Sequence, residues 1–192
     1  ANHVNDQVSI LFGSAFMSGV RENVYSTGSS PHPRAVALGD FDHDSQLDIV
    51  VSNHHLGNVA VFLGKANGTL PVRTAFSTGA LSSPTSVAVA DLDEDGERDI
   101  SVTLSTADGV GILYGRGNGS FASVEMHSTG PDSLPQSLAV GDLNNDNKLD
   151  IVTANTGARS VSGLVKYDIG AFHRRISYST GTGSAPTQLS VA

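Results

Sequence analysis

Three acidic segments have the residue types and the spacing of a cation-binding loop. Each spans nine residues, at 40–48, 91–99 and 142–150, and carries oxygen-bearing side chains at positions 1, 3, 5 and 9. Loops that converge several carboxylates in this way bind Ca²⁺, which prefers hard oxygen ligands. The side chains that we expect to bind are Asp40, Asp42, Asp44 and Asp48; Asp91, Asp93, Asp95 and Asp99; and Asp142, Asn144, Asp146 and Asp150. About three Ca²⁺ ions are therefore expected, one per loop.

The acidic character of the chain is concentrated in these loops. The formal net charge is −8, and 13 of the 19 Asp and Glu residues lie within the three segments. Three bound Ca²⁺ ions would bring the net charge to about −2. The 11 Lys and Arg residues form no basic stripe, and no apolar run is long enough for a membrane helix. We therefore expect neither nucleic-acid binding nor membrane insertion.

The loops recur at an interval of 51 residues, and so do other markers along the chain. Prolines repeat at Pro33, Pro84, Pro135 and Pro186, and Ser-Thr-Gly repeats at 26–28, 77–79, 128–130 and 179–181. Residues 1–51, 52–102 and 103–153 align without gaps, and 154–192 forms a partial fourth unit. Several markers that share one period indicate a repeat architecture. We therefore treat residues 1–192 as a single domain or domain segment of about 3.75 units.

Each unit predicts four short strands. One enters the acidic loop, one leaves it, a third carries the Val-x-Ile-Leu pattern, and a fourth is more polar and ends at Ser-Thr-Gly. Gly, Pro, Asn and Asp bound every strand, and no window keeps a helical period. Four antiparallel strands repeated at about 50 residues are typical of a propeller blade. The predicted fold class is all-β, a β-propeller of four-stranded antiparallel blades.

Two other interpretations of the loops deserve comparison. An EF-hand needs a bidentate Glu at position 12 and flanking helices, but position 12 is Val51, Val102 or Thr153, within a predicted strand. Solvated acidic turns without an ion are the other alternative. Converging carboxylates would then repel one another strongly at separations of ~4 Å. Three such loops at one spacing therefore favour bound cations.

The pattern resembles the FG-GAP repeat, also called VCBS-type, of integrin α-chain-like propellers. The residues that carry the resemblance are Leu11-Phe12-Gly13, the entry pattern Pro-x-x-(Val/Leu)-Ala-(Val/Leu)-(Gly/Ala)-Asp, and the acidic loop itself. The resemblance implies a propeller, usually of seven blades, with Ca²⁺ in each loop and an extracellular setting. It also implies that the backbone carbonyl of position 7 is a ligand, here that of Gln46, Glu97 and Lys148.

The loops depart from the family pattern in ways that rank them. Position 6 favours Gly because the turn needs a positive φ, and only Gly96 meets this outright, whereas Ser45 and Asn147 replace it elsewhere. Asn144 replaces one Asp with a neutral oxygen. By charge, the second loop is the strongest predicted ligand set, the first is next and the third is weakest.

Two N-glycosylation sequons occupy the same repeat position. They are Asn67-Gly-Thr69 and Asn118-Gly-Ser120, in the predicted hairpin between the third and fourth strands. Their recurrence agrees with a secreted glycoprotein. An Asn-Gly turn without a glycan explains them equally well.

The sequence shows no nucleophile, base and acid set, so we expect a non-enzymatic, secreted module for adhesion or recognition. Its expected partner is an extracellular protein or a glycan. Loops opposite the acidic ones vary between units, as binding loops do on a rigid scaffold. The candidate contact residues there are His32, His54, His55, Leu81, Asp108, Leu134 and Arg159.

Alternatives remain open at this stage. The chain could be an accessory propeller of a secreted hydrolase, or a structural spacer in a tandem array. The fourth unit lacks the 12 positions that would hold an acidic loop and a second strand. We therefore expect further blades or self-association with another copy to complete a ring.

Overall fold

The computed structural model describes residues 1–2, 4–12, 21–168 and 171–190. These residues form an all-β protein with one short 3₁₀ turn at Ser105–Ala107. The strands are β1 (Gln7–Phe12), β2 (Arg21–Ser26), β3 (Pro33–Gly39), β4 (Asp48–Asn53), β5 (Asn58–Leu63), β6 (Val72–Ser77), β7 (Pro84–Ala90), β8 (Asp99–Leu104), β9 (Gly109–Leu113), β10 (Glu125–Ser128), β11 (Pro135–Gly141), β12 (Asp150–Asn155), β13 (Ser160–Asp168) and β14 (Ala171–Ser179). No helix in these ranges is long and apolar enough to cross a membrane.

The strands form three complete sheets of four antiparallel strands and one sheet of two. In each complete sheet the spatial order equals the chain order, β3 to β6, β7 to β10 and β11 to β14, while β1 pairs with β2. The first strands of successive sheets, β3, β7 and β11, contact one another. Four-stranded meanders whose first strands lie side by side make a propeller-like fold. The predicted all-β class and the four-stranded antiparallel sheets are therefore confirmed, and the closed propeller with its number of blades stays a prediction.

The core lies between successive sheets. The second strands β4 and β8 are buried at every position, because a sheet covers each of their faces. The first strand β3 is covered less completely than β4. There burial alternates, and Val36 and Leu38 are 43% and 53% exposed. Ala35 and Ala37 pack against the core shared with β7, whereas Val36 and Leu38 point to the opposite face, where the neighbouring sheet has two strands in the described residues.

The Ser-Thr-Gly repeat joins the fourth strand of one sheet to the loop beside it. Thr78 N donates to Gly57 O (2.9 Å), and the Thr78 hydroxyl pairs with the Ser82 hydroxyl (2.9 Å). Ser77 Oγ accepts from Gly79 N (3.2 Å). The equivalent bonds recur at Thr129 and Thr180. The motif recurs because each sheet ties the end of its fourth strand to its own turn between the second and third strands in the same way.

Both sequons lie in exposed turns between the third and fourth strands. Asn67 Oδ1 accepts from Thr69 N (3.0 Å) and from the Thr69 hydroxyl (2.7 Å). Asn118 Oδ1 accepts from the same two groups of Ser120 (3.0 and 2.6 Å). These bonds give each Asn a role in closing its turn. Glycosylation of Asn67 and Asn118 stays a prediction.

Candidate metal centre

The Asp at position 9 of each loop closes the loop onto the end of the third strand. Asp48 is fully buried, and its two carboxylate oxygens accept from Phe41 N and Gly64 N (2.7 Å each). Asp99 accepts from Leu92 N (2.6 Å) and Gly115 N (2.8 Å). The third loop repeats the arrangement with Asp150, Leu143 and Lys166. The loop therefore has an internal anchor, with or without a cation.

The carboxylates at positions 1 and 5 shape the turn between these anchors. In the first loop, Asp40 Oδ2 accepts from Ser45 N and Asp44 Oδ1 accepts from Gln46 N, both at 2.9 Å. The other two loops make the same pair of bonds. As predicted, position 6 has a positive φ, 61° at Ser45 and 91° at Gly96. Position 4 has one as well, for example 59° at His43, which the sequence did not suggest.

Three carboxylates converge in each of the first two loops. Oxygens of Asp40, Asp42 and Asp48, and likewise of Asp91, Asp93 and Asp99, lie within 4.8 Å of one another. The side chains at position 5, Asp44 and Asp95, lie outside these groups. The structure thus brings together positions 1, 3 and 9 of the predicted ligand sets.

Some of these oxygens have no partner in the protein. Oδ1 of Asp40, of Asp42 and of Asp91 is buried and accepts no hydrogen bond. A buried carboxylate oxygen without a partner is costly, and a hard cation supplies the missing interaction. The residues therefore fit a Ca²⁺ ion in the first and second loops. The carbonyls at position 7 stay a prediction.

The third loop is arranged differently. Asn144 Nδ2 donates to Asp146 Oδ2 (3.0 Å), and Asp142 Oδ1 accepts from Asn144 N (3.2 Å) and Asp146 N (3.3 Å). Burial raises the pKa of Asp142, but backbone N–H groups, chiefly that of Asn147, outweigh it and lower the pKa overall. In the described part of the chain this loop forms no group of three carboxylates. Its own hydrogen bonds satisfy the oxygens that the other loops leave free.

The second loop carries the largest electrostatic cost. Burial raises the pKa of Asp99 to about 6, although Gly115 N and Leu92 N lower it in part, and the charges of Asp93 and Asp95 raise it further. The pKa of Asp93 is also raised, first by burial and then by the charge of Asp95. Like charges that share a desolvated site favour protonation or a cation. This agrees with the rank given to the second loop.

Two basic side chains, Lys65 and His43, lie beside the loops, and their contacts were not predicted from the sequence. Lys65 Nζ lies 2.9 Å from Asp44 Oδ2 and 3.6 Å from Asp42 Oδ2. His43 Nε2 lies 2.5 Å from Glu97 Oε2 and so joins the first loop to the second. The Lys65 contact arises because the third strand of the sheet, β5, ends beside the loop. The sequence did carry a signal for this contact: the repeated Gly marks the end of the third strand, and Lys65 directly follows Gly64.

A buried lysine joins the second loop to the third. Lys166 is 1% exposed, and its Nζ donates to Leu92 O (2.6 Å) and to Glu94 Oε1 (3.0 Å). Its backbone N–H donates to Asp150 Oδ1 (2.9 Å). Lys166 therefore contacts the anchor Asp150 of the third loop through its backbone and the start of the second loop, at Leu92, through its side chain.

The predicted contact residues lie on the face opposite the acidic loops. Leu81 is 85% exposed, and the rings of His32 and His55 lie 5.4 Å apart between centroids. Asp108 differs from the others, since its carboxylate accepts from Asp132 N (2.9 Å) and Leu134 N (3.0 Å) and so serves the chain itself. The remaining candidates are His54, which is half-buried, and Leu134 and Arg159, which are exposed.

Similarity to solved structures is confined to the fold. Virginiamycin B lyase from Staphylococcus aureus matches with a TM-score of 0.64 at 12% identity, over 92% of this chain and 50% of that one. A candidate 6-phosphogluconolactonase from Bacteroides uniformis matches with a TM-score of 0.65 at 17% identity, over 92% and 50%. The chain thus spans about half the length of these structures. No curated protein sequence matches it.

The sequence profile of one repeat family matches the acidic-loop region. This profile, described as the FG-GAP-like repeat, covers residues 40–102 and 98–153, which is more than half of the chain. Both matched segments begin at or near an acidic loop and run through the strands that follow it. The resemblance of the loop and its flanking strands is thereby confirmed. The chain belongs to the FG-GAP-like repeat family.

Proposed function

We propose that the chain is a calcium-stabilised, non-catalytic recognition module in an extracellular setting. The observation that carries the calcium assignment is the convergence of three carboxylates within 4.8 Å in each of two loops, with buried oxygens that have no partner. Oxygen-only ligand sets of this kind suit Ca²⁺. The chain would bind through Asp40, Asp42 and Asp48, and through Asp91, Asp93 and Asp99, with the third loop binding more weakly.

The ion would act on stability rather than on chemistry. A bound cation would supply the partner that the free carboxylate oxygens lack and offset the repulsion between neighbouring acids. Extracellular calcium modules bind with Kd of roughly 10⁻⁴–10⁻³ M, so they load outside cells, where calcium is abundant. At ten times Kd, one ion stabilises the folded state by about 1.4 kcal/mol through mass action. Two such ions would contribute about twice that amount.

Calcium addition is expected to raise the melting temperature of chelator-treated protein by about 5–10 °C, because ~3 kcal/mol shifts a domain of this size by that much. Thermal melting would be followed by circular dichroism in EDTA and in excess CaCl₂, with MgCl₂ as the control ion. A variant with Asp91→Asn and Asp93→Asn should lose about half of the shift. A melting temperature that millimolar CaCl₂ leaves unchanged would contradict the calcium assignment.

Acidification from pH 7 to pH 5 is expected to weaken calcium binding at the second loop about tenfold, because Asp99 has a pKa raised to about 6 and protons compete with the ion. Without calcium, the same protonation of Asp99 should stabilise the folded protein. The folded pKa lies above the unfolded value, so the folded state binds more protons and the apo protein gains stability as pH falls from about 6 towards 4. Calcium titrations at the two pH values, with apo melting curves, would check both signs.

The recognition role rests on the surface opposite the loops. Exposed side chains such as Leu81, His55 and Arg159 stand there on loops that differ between units, while the sheets below them do not. We infer a protein or glycan partner for this face. A glycan array and a pull-down with the chain would test it, with alanine changes at these three residues. Binding that survives all three changes would place the contact elsewhere on the chain. The absence of any binding partner would favour a purely architectural or accessory role.

A further inference from the structure

The first acidic loop contains a cation that belongs to the protein itself. The ammonium of Lys65 lies 2.9 Å from Asp44 Oδ2 and 3.6 Å from Asp42 Oδ2, at the open side of the loop. The backbone places it there, because the preceding residue, Gly64, is tied to the loop anchor Asp48 (2.7 Å). Asp42 is one of the three carboxylates that converge in this loop. The ammonium therefore contacts a residue that a bound metal ion would also need.

The second loop provides a matched comparison within the same molecule. It has Asp at the same four positions as the first loop, and Arg116 stands 51 residues after Lys65. In the described part of the chain, no hydrogen bond or ion pair joins Arg116 to this loop. The acids of the second loop that do have basic partners are Glu94, beside Lys166, and Glu97, beside the His43 imidazole, and both acids lie outside its group of three carboxylates.

The electrostatic state of the two loops differs accordingly. In the first loop an ammonium contacts Asp42, one of the three converging carboxylates, and Asp44 beside it. Within the described ranges of the chain, no ion pair joins a basic side chain to Asp91, Asp93 or Asp99 of the second loop. An ammonium on a flexible stem is a compact point charge that can leave without unfolding the loop.

We propose that Lys65 is a tethered counter-ion that competes with Ca²⁺ for the first loop, so that the second loop binds Ca²⁺ before the first. This inference rests on the proposed calcium binding. When Ca²⁺ enters the first loop, the ammonium must move away from Asp42 and Asp44, and its repulsion of the ion lowers the affinity. Among the residues that the structure describes, the converging carboxylates of the second loop have no such competitor.

The test is a calcium titration of the full chain followed by ¹H–¹⁵N NMR. The amide of Gly64 donates to Asp48 and reports on the first loop, and that of Gly115 donates to Asp99 and reports on the second. In the unmodified protein, Gly115 should reach half of its shift at a lower CaCl₂ concentration than Gly64. Lys65→Met should lower the half-saturating concentration at Gly64 about two- to fivefold, the range for an exposed ion pair, and leave Gly115 unchanged.

Matched variants separate charge from packing. Lys65→Arg keeps the cation, so calcium binding at the first loop should stay weak. Lys65→Gln removes the cation and should behave as Lys65→Met does. Arg116→Met should leave both glycine titrations within about twofold, since Arg116 contacts neither loop. If Gly115 titrates but Lys65→Met leaves Gly64 unchanged, the counter-ion role is wrong while calcium binding stands. If neither glycine responds to millimolar CaCl₂, calcium binding itself is wrong.

Discussion

Replacing Asp48 with Ala is expected to destabilise the protein by about 2–4 kcal/mol, even in the presence of a chelator. The change leaves the N–H groups of Phe41 and Gly64 without an acceptor in the interior, and each such group costs about 1–3 kcal/mol. Burial raises the pKa of Asp48, so the ionised carboxylate is itself costly in the folded state. Its removal offsets part of the loss. Urea denaturation in EDTA would measure the difference.

Asp44→Ala is the matched control for this prediction. Asp44 lies in the same loop, but it is an exposed carboxylate that accepts from Gln46 N and pairs with Lys65. Its loss should change stability far less, because water replaces these partners. If the two variants were equally stable in EDTA, Asp48 would be a cation ligand only, without the anchoring role that its hydrogen bonds indicate.

The repeat period made the fold predictable from the sequence. Markers at a spacing of 51 residues assign each segment to a strand or a loop, and each complete sheet contains the four strands predicted for a unit. The first strand of each complete sheet, for example, begins at one of the repeated prolines, Pro33, Pro84 or Pro135. The local pattern suffices here because equivalent strands of successive sheets pack in equivalent ways. The Gly13 of the Phe-Gly element lies outside the described residues.

The loop ligands were predictable for the same reason, but their partners were not. Positions 1, 3 and 9 converge as the spacing suggests. The anchoring role of position 9 depends on the end of the third strand, 16 residues later in the chain at Gly64. The contact between His43 and Glu97 depends on how two sheets face each other. Contacts between units follow from packing, which a comparison of one unit with the next does not reveal.

Lys166 shows this limit most clearly. It stands where the preceding units have Gly64 and Gly115, and at both glycines a Cβ would collide with a backbone oxygen, that of Leu47 and Arg98 respectively. In the third complete sheet the pairing of β13 with β14 shifts register next to Lys166. The bulge makes room for a side chain, and that side chain then reaches the second loop. The sequence showed the missing Gly but not the compensating contact.

Replacing Lys166 with Ala is expected to destabilise the protein by about 2–4 kcal/mol. The change leaves Leu92 O without its donor and opens a cavity where the buried stem lay. Lys166→Met refills most of that volume and should cost about 1–2 kcal/mol less than Lys166→Ala. Urea denaturation of both variants would measure the two contributions, with Glu94→Gln as the control for the exposed end of the ion pair.

Glu94 is the decisive control because it is half-exposed, so its carboxylate remains solvated when Lys166 is lost. The larger part of the cost should therefore come from the Leu92 carbonyl, and Glu94→Gln alone should cost less than 1 kcal/mol. If Glu94→Gln cost as much as Lys166→Ala, the ion pair would dominate instead.

Leu92 N donates to Asp99, so a weakened Leu92 carbonyl contact should also loosen the second loop. Faster hydrogen exchange at the Leu92 amide in Lys166→Met, with the Phe41 amide unchanged, would show that the second loop depends on a residue of the next blade.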